Sequence, residues 1–188
     1  MCKRRNHRKM RINVRFAGAG GQGVILGSVL LAKAYGIGED YNISQTQSYG
    51  PEARGGACKA EVVISDENID YMKVDQADVF IAFNQMGYDK YKATVKKNAM
   101  VLVNSTLVEP DRPDAYKIPA TDMAEEMEKP FVVNMIMLGA LTKLLPKLHY
   151  PKVEAEIMEN FAASIAGVNL EAYDKGYRYM EEKLKATG

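Results

Sequence analysis

The chain has 188 residues, 47% hydrophobic and 26% charged, with a formal net charge of +1, which suits one soluble globular domain with a sizeable core. So even a balance gives no global field to recruit nucleic acid or a membrane surface, and no apolar run reaches the roughly 18 residues of a spanning helix. Two cysteines, Cys2 and Cys58, make neither a disulfide framework nor a metal cluster alone, so iron–sulfur chemistry, which takes about four thiolates, would reside in another polypeptide; all of this fits the cytoplasm.

Residues 1–10, MCKRRNHRKM, form a basic, polar extension without periodicity. It reads either as a nucleic-acid arm or as a plain extension ahead of the domain. No long apolar segment follows it, so it is not a secretory signal. A single domain is expected over residues 11–188. Its first strand is Arg11 to Ala17, and the apolar run Val24 to Tyr35 predicts a helix that Gly36 and Gly38 stop.

Asn42 to Tyr49 is polar and partly β-prone, and Ala57 to Ile64 alternates into a strand closed by the turn Ser65-Asp66-Glu67-Asn68. Ala77 to Phe83 and Ala99 to Val103 are short, continuous apolar runs, the mark of buried parallel strands. A helix is expected between them, Gln85 to Lys96. Tyr116-Lys117-Ile118 predicts a short edge strand. Helices are expected over Thr121 to Met127, capped by Thr121 or Asp122, and over Phe131 to Leu145 between Pro130 and Pro146. Two amphipathic helices follow, Lys152 to Ala163 and Asn169 to Lys185, the second with Asn169 as N-cap. The methionines of the Phe131 to Leu145 helix, with Met123 and Met127, read as core filling, with a docking face as the alternative. Strands alternating with helices predict an α/β three-layer sandwich with a mostly parallel sheet and a Rossmann-like glycine loop after the first strand.

That loop is Gly18-Ala19-Gly20-Gly21-Gln22-Gly23, set between a strand and a helix. Glycine lets another backbone or a phosphate approach, and the first N–H groups of a helix point at whatever sits there. The loop therefore either holds an anion or packs tightly against a neighbouring segment. Gly18, Gly20 and Gly23 satisfy G-x-G-x-x-G, but a dinucleotide site also needs an acid closing the second strand. Glu39 and Asp40 precede the next strand-like run instead. A second glycine-rich stretch, Tyr49-Gly50-Pro51-Glu52-Ala53-Arg54-Gly55-Gly56, carries a carboxylate and a guanidinium. It reads as a surface turn with a weak ion pair, or as an anion or interface loop. Polar groups also stand at strand ends, Asn84 with Gln85 and Asn104 with Ser105, where open α/β sheets bind ligands. Turn-capping uses the same residues. No nucleophile sits beside a base, and catalytic residues are not identifiable.

In this order, GAGGQG at Gly18–Gly23 and YGPEARGG at Tyr49–Gly56 resemble the gamma subunit of the 2-oxoacid:ferredoxin oxidoreductases, of the 2-oxoglutarate type. The similarity continues through AEVVISD at Ala60–Asp66, AFNQ at Ala82–Gln85, Asn104-Ser105, the helix from Asn134 to Ala140, and Asn169, Ala172 and Gly176. Cys58 and Met72 depart from it, where a small hydroxyl residue and a proline are expected. The resemblance implies a complex that decarboxylates a 2-oxoacid oxidatively with coenzyme A, giving an acyl-CoA and carbon dioxide. It implies thiamine diphosphate, magnesium and Fe–S clusters held by alpha, beta and ferredoxin-like delta subunits, with ferredoxin or flavodoxin as acceptor. This chain then supports partners rather than binding cofactors itself, and isolation could leave it a homodimer. Gly18, Gly20, Gly21, Gln22, Gly23, Tyr49, Gly50, Glu52, Arg54, Gly55, Gly56, Asn84 and Asn104 are the candidate interface or cofactor-facing residues. A freestanding NAD(P)-binding oxidoreductase and an RNA-binding module are the competing readings; the second lacks aromatic platforms and a basic face.

Overall fold

The computed structural model describes residues 10–36, 41–48 and 56–187. Its elements are β1 (Arg11–Ala19), α1 (Val24–Gly36), β2 (Asn42–Ser48), β3 (Ala57–Ser65), β4 (Ala77–Ala82), α2 (Gln85–Tyr91), β5 (Val95–Asn104), β6 (Tyr116–Ile118), α3 (Ala120–Glu126), α4 (Val133–Leu144), α5 (Tyr150–Asn160) and α6 (Ala163–Thr187). The basic extension up to residue 9 and most of the Tyr49–Gly56 stretch lie outside the described residues.

The strands form one sheet in the order β2-β3-β1-β4-β5-β6. β1, β4, β5 and β6 are successively parallel, and the apolar runs of β4 and β5 fill its centre. β3 is the exception to a parallel sheet: it runs antiparallel to β1 on one side and β2 on the other. β2 and β3 are consecutive in the chain and pair antiparallel, so the chain reverses between them. A consequence is that β1 and β2, although linked through α1, do not pair. The βαβ unit on which a dinucleotide is seated is therefore not formed by these two strands.

Most apolar side chains gather on one face. Val14, Phe16, Val62, Ile64, Ile81 and Leu102 pack there against Leu30 and Leu31 of α1 and against α4. Helix α6 lies over α4 in the same cluster. The opposite face carries α2, whose Tyr88 packs on Phe80, Val101 and Val103. Beside that patch a guanidinium is buried: Arg15 is 2% exposed. Its Nε meets the Glu61 carboxylate at 2.7 Å, and Lys59 reaches the same oxygen at 2.9 Å. The rest of the fork donates to Thr94 and to the Val74 carbonyl. Full pairing of this kind makes a buried charge tolerable.

Several element boundaries differ from expectation; α5, for one, runs Tyr150–Asn160 rather than Lys152 to Ala163. Helix α2 stops at Tyr91, Lys92–Thr94 form a 3-10 turn, and β5 starts at Val95 rather than Ala99. Arg15 holds the Thr94 carbonyl and hydroxyl at that point, and Val95 pairs with Ala77. Helix α6 begins at Ala163, so Asn169 is not its N-cap. It lies inside the helix, 4% exposed, and donates to the Ile165 carbonyl at 2.9 Å. Neither Thr121 nor Asp122 caps α3. Their N–H groups are instead taken by Asn104 Oδ1 and Thr106 Oγ1 from the preceding segment. Met123, Met135 and Met137 are buried, as core filling requires, and Met127 is half-buried against the same core.

Candidate functional site at the carboxyl end of the sheet

Strand β1 ends at Ala19 and the chain turns through Gly20-Gly21 into α1. Gly21 and Gly23 have φ of +87° and +73°, conformations that glycine adopts without strain. The loop is held from below. Gln22 Oε1 accepts from the Ala19 N–H at 2.7 Å and from Asn84 Nδ2 at 3.0 Å. Asn84 Oδ1 in turn accepts from the Gly87 N–H at 2.8 Å, which caps α2. One amide thus ties two strand ends and a helix start together.

The four glycines do different jobs. A Cβ at Gly18 would meet Gln22 Oε1 at 2.8 Å and Phe83 Cβ and Val24 Cγ2 at 2.9 Å. A Cβ at Gly23 would fall 2.3 Å from Asn134 Nδ2 of α4, which donates to the Gly23 carbonyl at 3.5 Å. Both are packing glycines. Gly20 and Gly21 have nothing within 4 Å of where a Cβ would stand. The turn is therefore clamped at its ends and bare at its tip. Gly87, from α2, is a fifth member: its Cβ would lie 2.7 Å from the Gly18 nitrogen.

Of the remaining predicted residues, Asn104 is fully buried. Its Nδ2 donates to the Phe83 carbonyl at 3.2 Å and to Thr121 Oγ1 at 2.8 Å. It locks the ends of β4 and β5 to α3 and presents no free polar atom outward. Asn84 is likewise spent on Gln22 and Gly87. Tyr49, Gly50, Glu52, Arg54 and Gly55 lie outside the described residues, and Gly56 is half-buried. The strands flanking that stretch are informative: Ser48 pairs with Lys59 and Ala57 with Ala19. The second glycine-rich stretch therefore leaves and re-enters the sheet at the end where the first one lies. Sequence reasoning missed the clamping roles of Asn134 and Gly87. The only signals were an uncharged polar residue opening an apolar helix and a glycine in the first turn of another.

The site holds little acid–base chemistry. Cys58 pairs across from Gly18, and burial pushes its thiol up from the ordinary range, so it stays protonated and unreactive. Among the described residues no group of His, Cys, Asp and Glu is arranged to hold a metal ion. No helix among them is long and apolar enough to cross a membrane. A cleft of about 520 Å³ lies elsewhere, between α2 and the loop before β6. Its Lys92 and Arg112 are neutralised by Asp111 at 2.7 Å and Asp114 at 2.6 Å.

The chain matches the family described as pyruvate ferredoxin/flavodoxin oxidoreductase over residues 13–179. The 2-oxoglutarate synthase subunit KorC of Methanocaldococcus jannaschii is 45% identical over 180 residues, 93% of this chain and 96% of that protein. A solved gamma subunit of a keto/oxoacid ferredoxin oxidoreductase from Geobacter sulfurreducens superposes with a TM-score of 0.79 at 33% identity, covering 91% of this chain and 99% of that one. The 2-oxoglutarate:ferredoxin oxidoreductase of Magnetococcus marinus, solved with 2-oxoglutarate, coenzyme A and succinyl-CoA bound, gives 0.83 at 26% identity. It covers 92% of this chain but 31% of its own. Matched over residues 13–179 and alike nearly end to end to a 2-oxoglutarate synthase subunit and to a solved gamma subunit, this chain belongs to the pyruvate ferredoxin/flavodoxin oxidoreductase family.

Proposed function

We propose that the chain is the gamma subunit of a multi-subunit 2-oxoacid:ferredoxin oxidoreductase, and that the complex converts 2-oxoglutarate and coenzyme A to succinyl-CoA and carbon dioxide in the cytoplasm. The observation that carries this reading is the 45% identity to a 2-oxoglutarate synthase subunit, spanning nearly all of both chains. Electrons pass to ferredoxin or flavodoxin. Thiamine diphosphate, magnesium and the Fe–S clusters supply the carbanion and one-electron chemistry and belong to alpha, beta and ferredoxin-like delta subunits. The residues of this chain do not fit a cluster, because Cys58 is a buried neutral thiol and only one other cysteine exists.

What this chain does is present a surface. The bare tip at Gly20-Gly21 and the Tyr49–Gly56 stretch face a partner subunit close to its reacting centre. In that contact Arg54 is the anion-facing group and Glu52 its orienting partner. Gln22 and Asn84 are positioning residues that keep the tip in one shape, and Asn104 fixes the neighbouring ends of β4 and β5 against α3.

The test is an anaerobic purification of the chain with its partners from the source cells, followed by a viologen-reduction assay. We expect a brown, multi-subunit complex whose activity needs both 2-oxoglutarate and coenzyme A. A complex that reduces viologen with another 2-oxoacid but not with 2-oxoglutarate overturns the substrate assignment. A lone chain that binds NADH overturns the subunit assignment in favour of a dinucleotide enzyme.

A further inference from the structure

Residues directly opposite each other in an antiparallel pair project to the same face of a sheet. Thr46 is opposite Glu61, and Ser48 is opposite Lys59. Across β3, Glu61 is opposite Arg15, and Lys59 is opposite Ala17, which packs in the apolar patch under α2. These side chains therefore share the face that carries α2. The helix covers Phe80, Val101 and Val103. It leaves a recess of about 400 Å³ between β2, β3 and the segment from Lys73 to Asp75.

The floor of the recess holds a carboxylate with one oxygen uncommitted. Glu61 is 5% exposed. Its Oε1 accepts from Arg15 Nε at 2.7 Å and from Lys59 Nζ at 2.9 Å. Its Oε2 accepts from none of the described residues. No buried side-chain oxygen or nitrogen among those residues lacks a partner, so Oε2 opens to the recess that Glu61 lines. An ionised oxygen held this deep calls for a donor from outside the chain. Lys59 stands beside it with N–H groups to spare, because an ammonium has three and only the bond to Glu61 is made by a described side chain. The recess thus offers an acceptor and a donor of opposite charge, side by side.

We infer that this recess binds an acidic α-amino acid, glutamate or aspartate, with its ammonium on Glu61 Oε2 and its α-carboxylate on Lys59 Nζ. An α-amino acid carries both charges on one carbon, which is the spacing that adjacent Lys59 and Glu61 match. Charge balance selects the acidic side chain. Arg15, Lys59 and Lys73 outnumber Glu61 and Asp75 by one positive charge, which a ligand of net negative charge neutralises. Lys73 is exposed at the mouth and meets the second carboxylate. Asp75 Oδ1 is taken by the Tyr71 hydroxyl at 3.1 Å.

The experiment measures L-glutamate binding to the full chain by equilibrium dialysis. The comparisons are L-lysine and 2-oxoglutarate, which keeps both carboxylates and lacks the ammonium. L-Glutamate is expected to bind saturably and at least about tenfold more tightly than either. Glu61→Gln should weaken it about tenfold or more. Lys73→Ala should weaken L-glutamate and leave L-alanine unchanged. If neither L-glutamate nor L-aspartate binds saturably, the site is overturned. If 2-oxoglutarate binds as tightly as L-glutamate, the role of Glu61 and the amino-acid assignment fall with it. If L-lysine does so, the acidic side chain is overturned. Should Glu61→Gln fail to fold, nuclear magnetic resonance on the native chain decides. The amides of Thr46, Ser48, Lys59 and Lys73 shift on addition of L-glutamate if the site is right, and are unchanged if it is wrong.

Discussion

Gly20 and Gly23 sit three residues apart and answer to different forces. At Gly23 an added methyl meets both a positive φ and the Asn134 side chain 2.3 Å away. Gly23→Ala should therefore lower stability by about 2–4 kcal/mol, read from denaturant unfolding; an unchanged midpoint would contradict the clamp. Gly20→Ala meets nothing and should stay within about 0.5 kcal/mol of the native chain, yet weaken assembly under the partner contact proposed for the tip. The G-x-G-x-x-G spacing marked this loop in the sequence, since few turns demand glycine so densely. The assignment of each glycine was not legible there. Asn134 is 111 residues away from Gly23, and no local pattern links them. Arg15 was equally hidden, because an alternating strand is expected to turn such a residue to solvent, whereas here Glu61, Thr94 and Val74 wrap its fork.

At the scale of elements, α4 and α6 pack closer than side chains allow. A Cβ at Gly139 would lie 2.0 Å from the Tyr173 carbonyl oxygen, and one at Gly176 would lie 1.9 Å from that of Ile136. The two helices meet backbone to backbone at these points. Gly139→Ala must push them apart, at a cost of about 1–3 kcal/mol, seen as a lower thermal midpoint; a midpoint equal to the native one would show that α6 can shift freely. The central strands were readable because a continuous apolar run has few other homes. The direction of β3 was not, because side-chain alternation is the same whichever way a strand runs. The end of α2 was also unreadable. Local helix propensity continues past Tyr91, and tertiary bonds from Arg15 terminate it.

Over the whole molecule, three tyrosines set an alkaline limit. Burial, then the hydrogen bond to Asp111, pushes Tyr88 up to about 12. Burial, then Asp174, does the same for Tyr150, to about 12, and burial raises Tyr173 as well. A hydroxyl raised in the folded state stabilises the fold fully below its unfolded value of 10.0, and that contribution is lost as pH climbs through the folded value. Unfolding midpoints in urea should hold steady up to pH 9 and fall between pH 10 and 12; a flat profile across that window would show these rings to be solvated. The clamp between Gly23 and Asn134 has a further meaning for biosynthesis. A growing chain lays down the glycine turn early, but the residue that closes over it emerges only after most of the polypeptide is made. On a half-finished chain the turn has its Gln22 and Asn84 bonds but not the cover of Asn134, so the contact surface proposed for it is completed only late in synthesis.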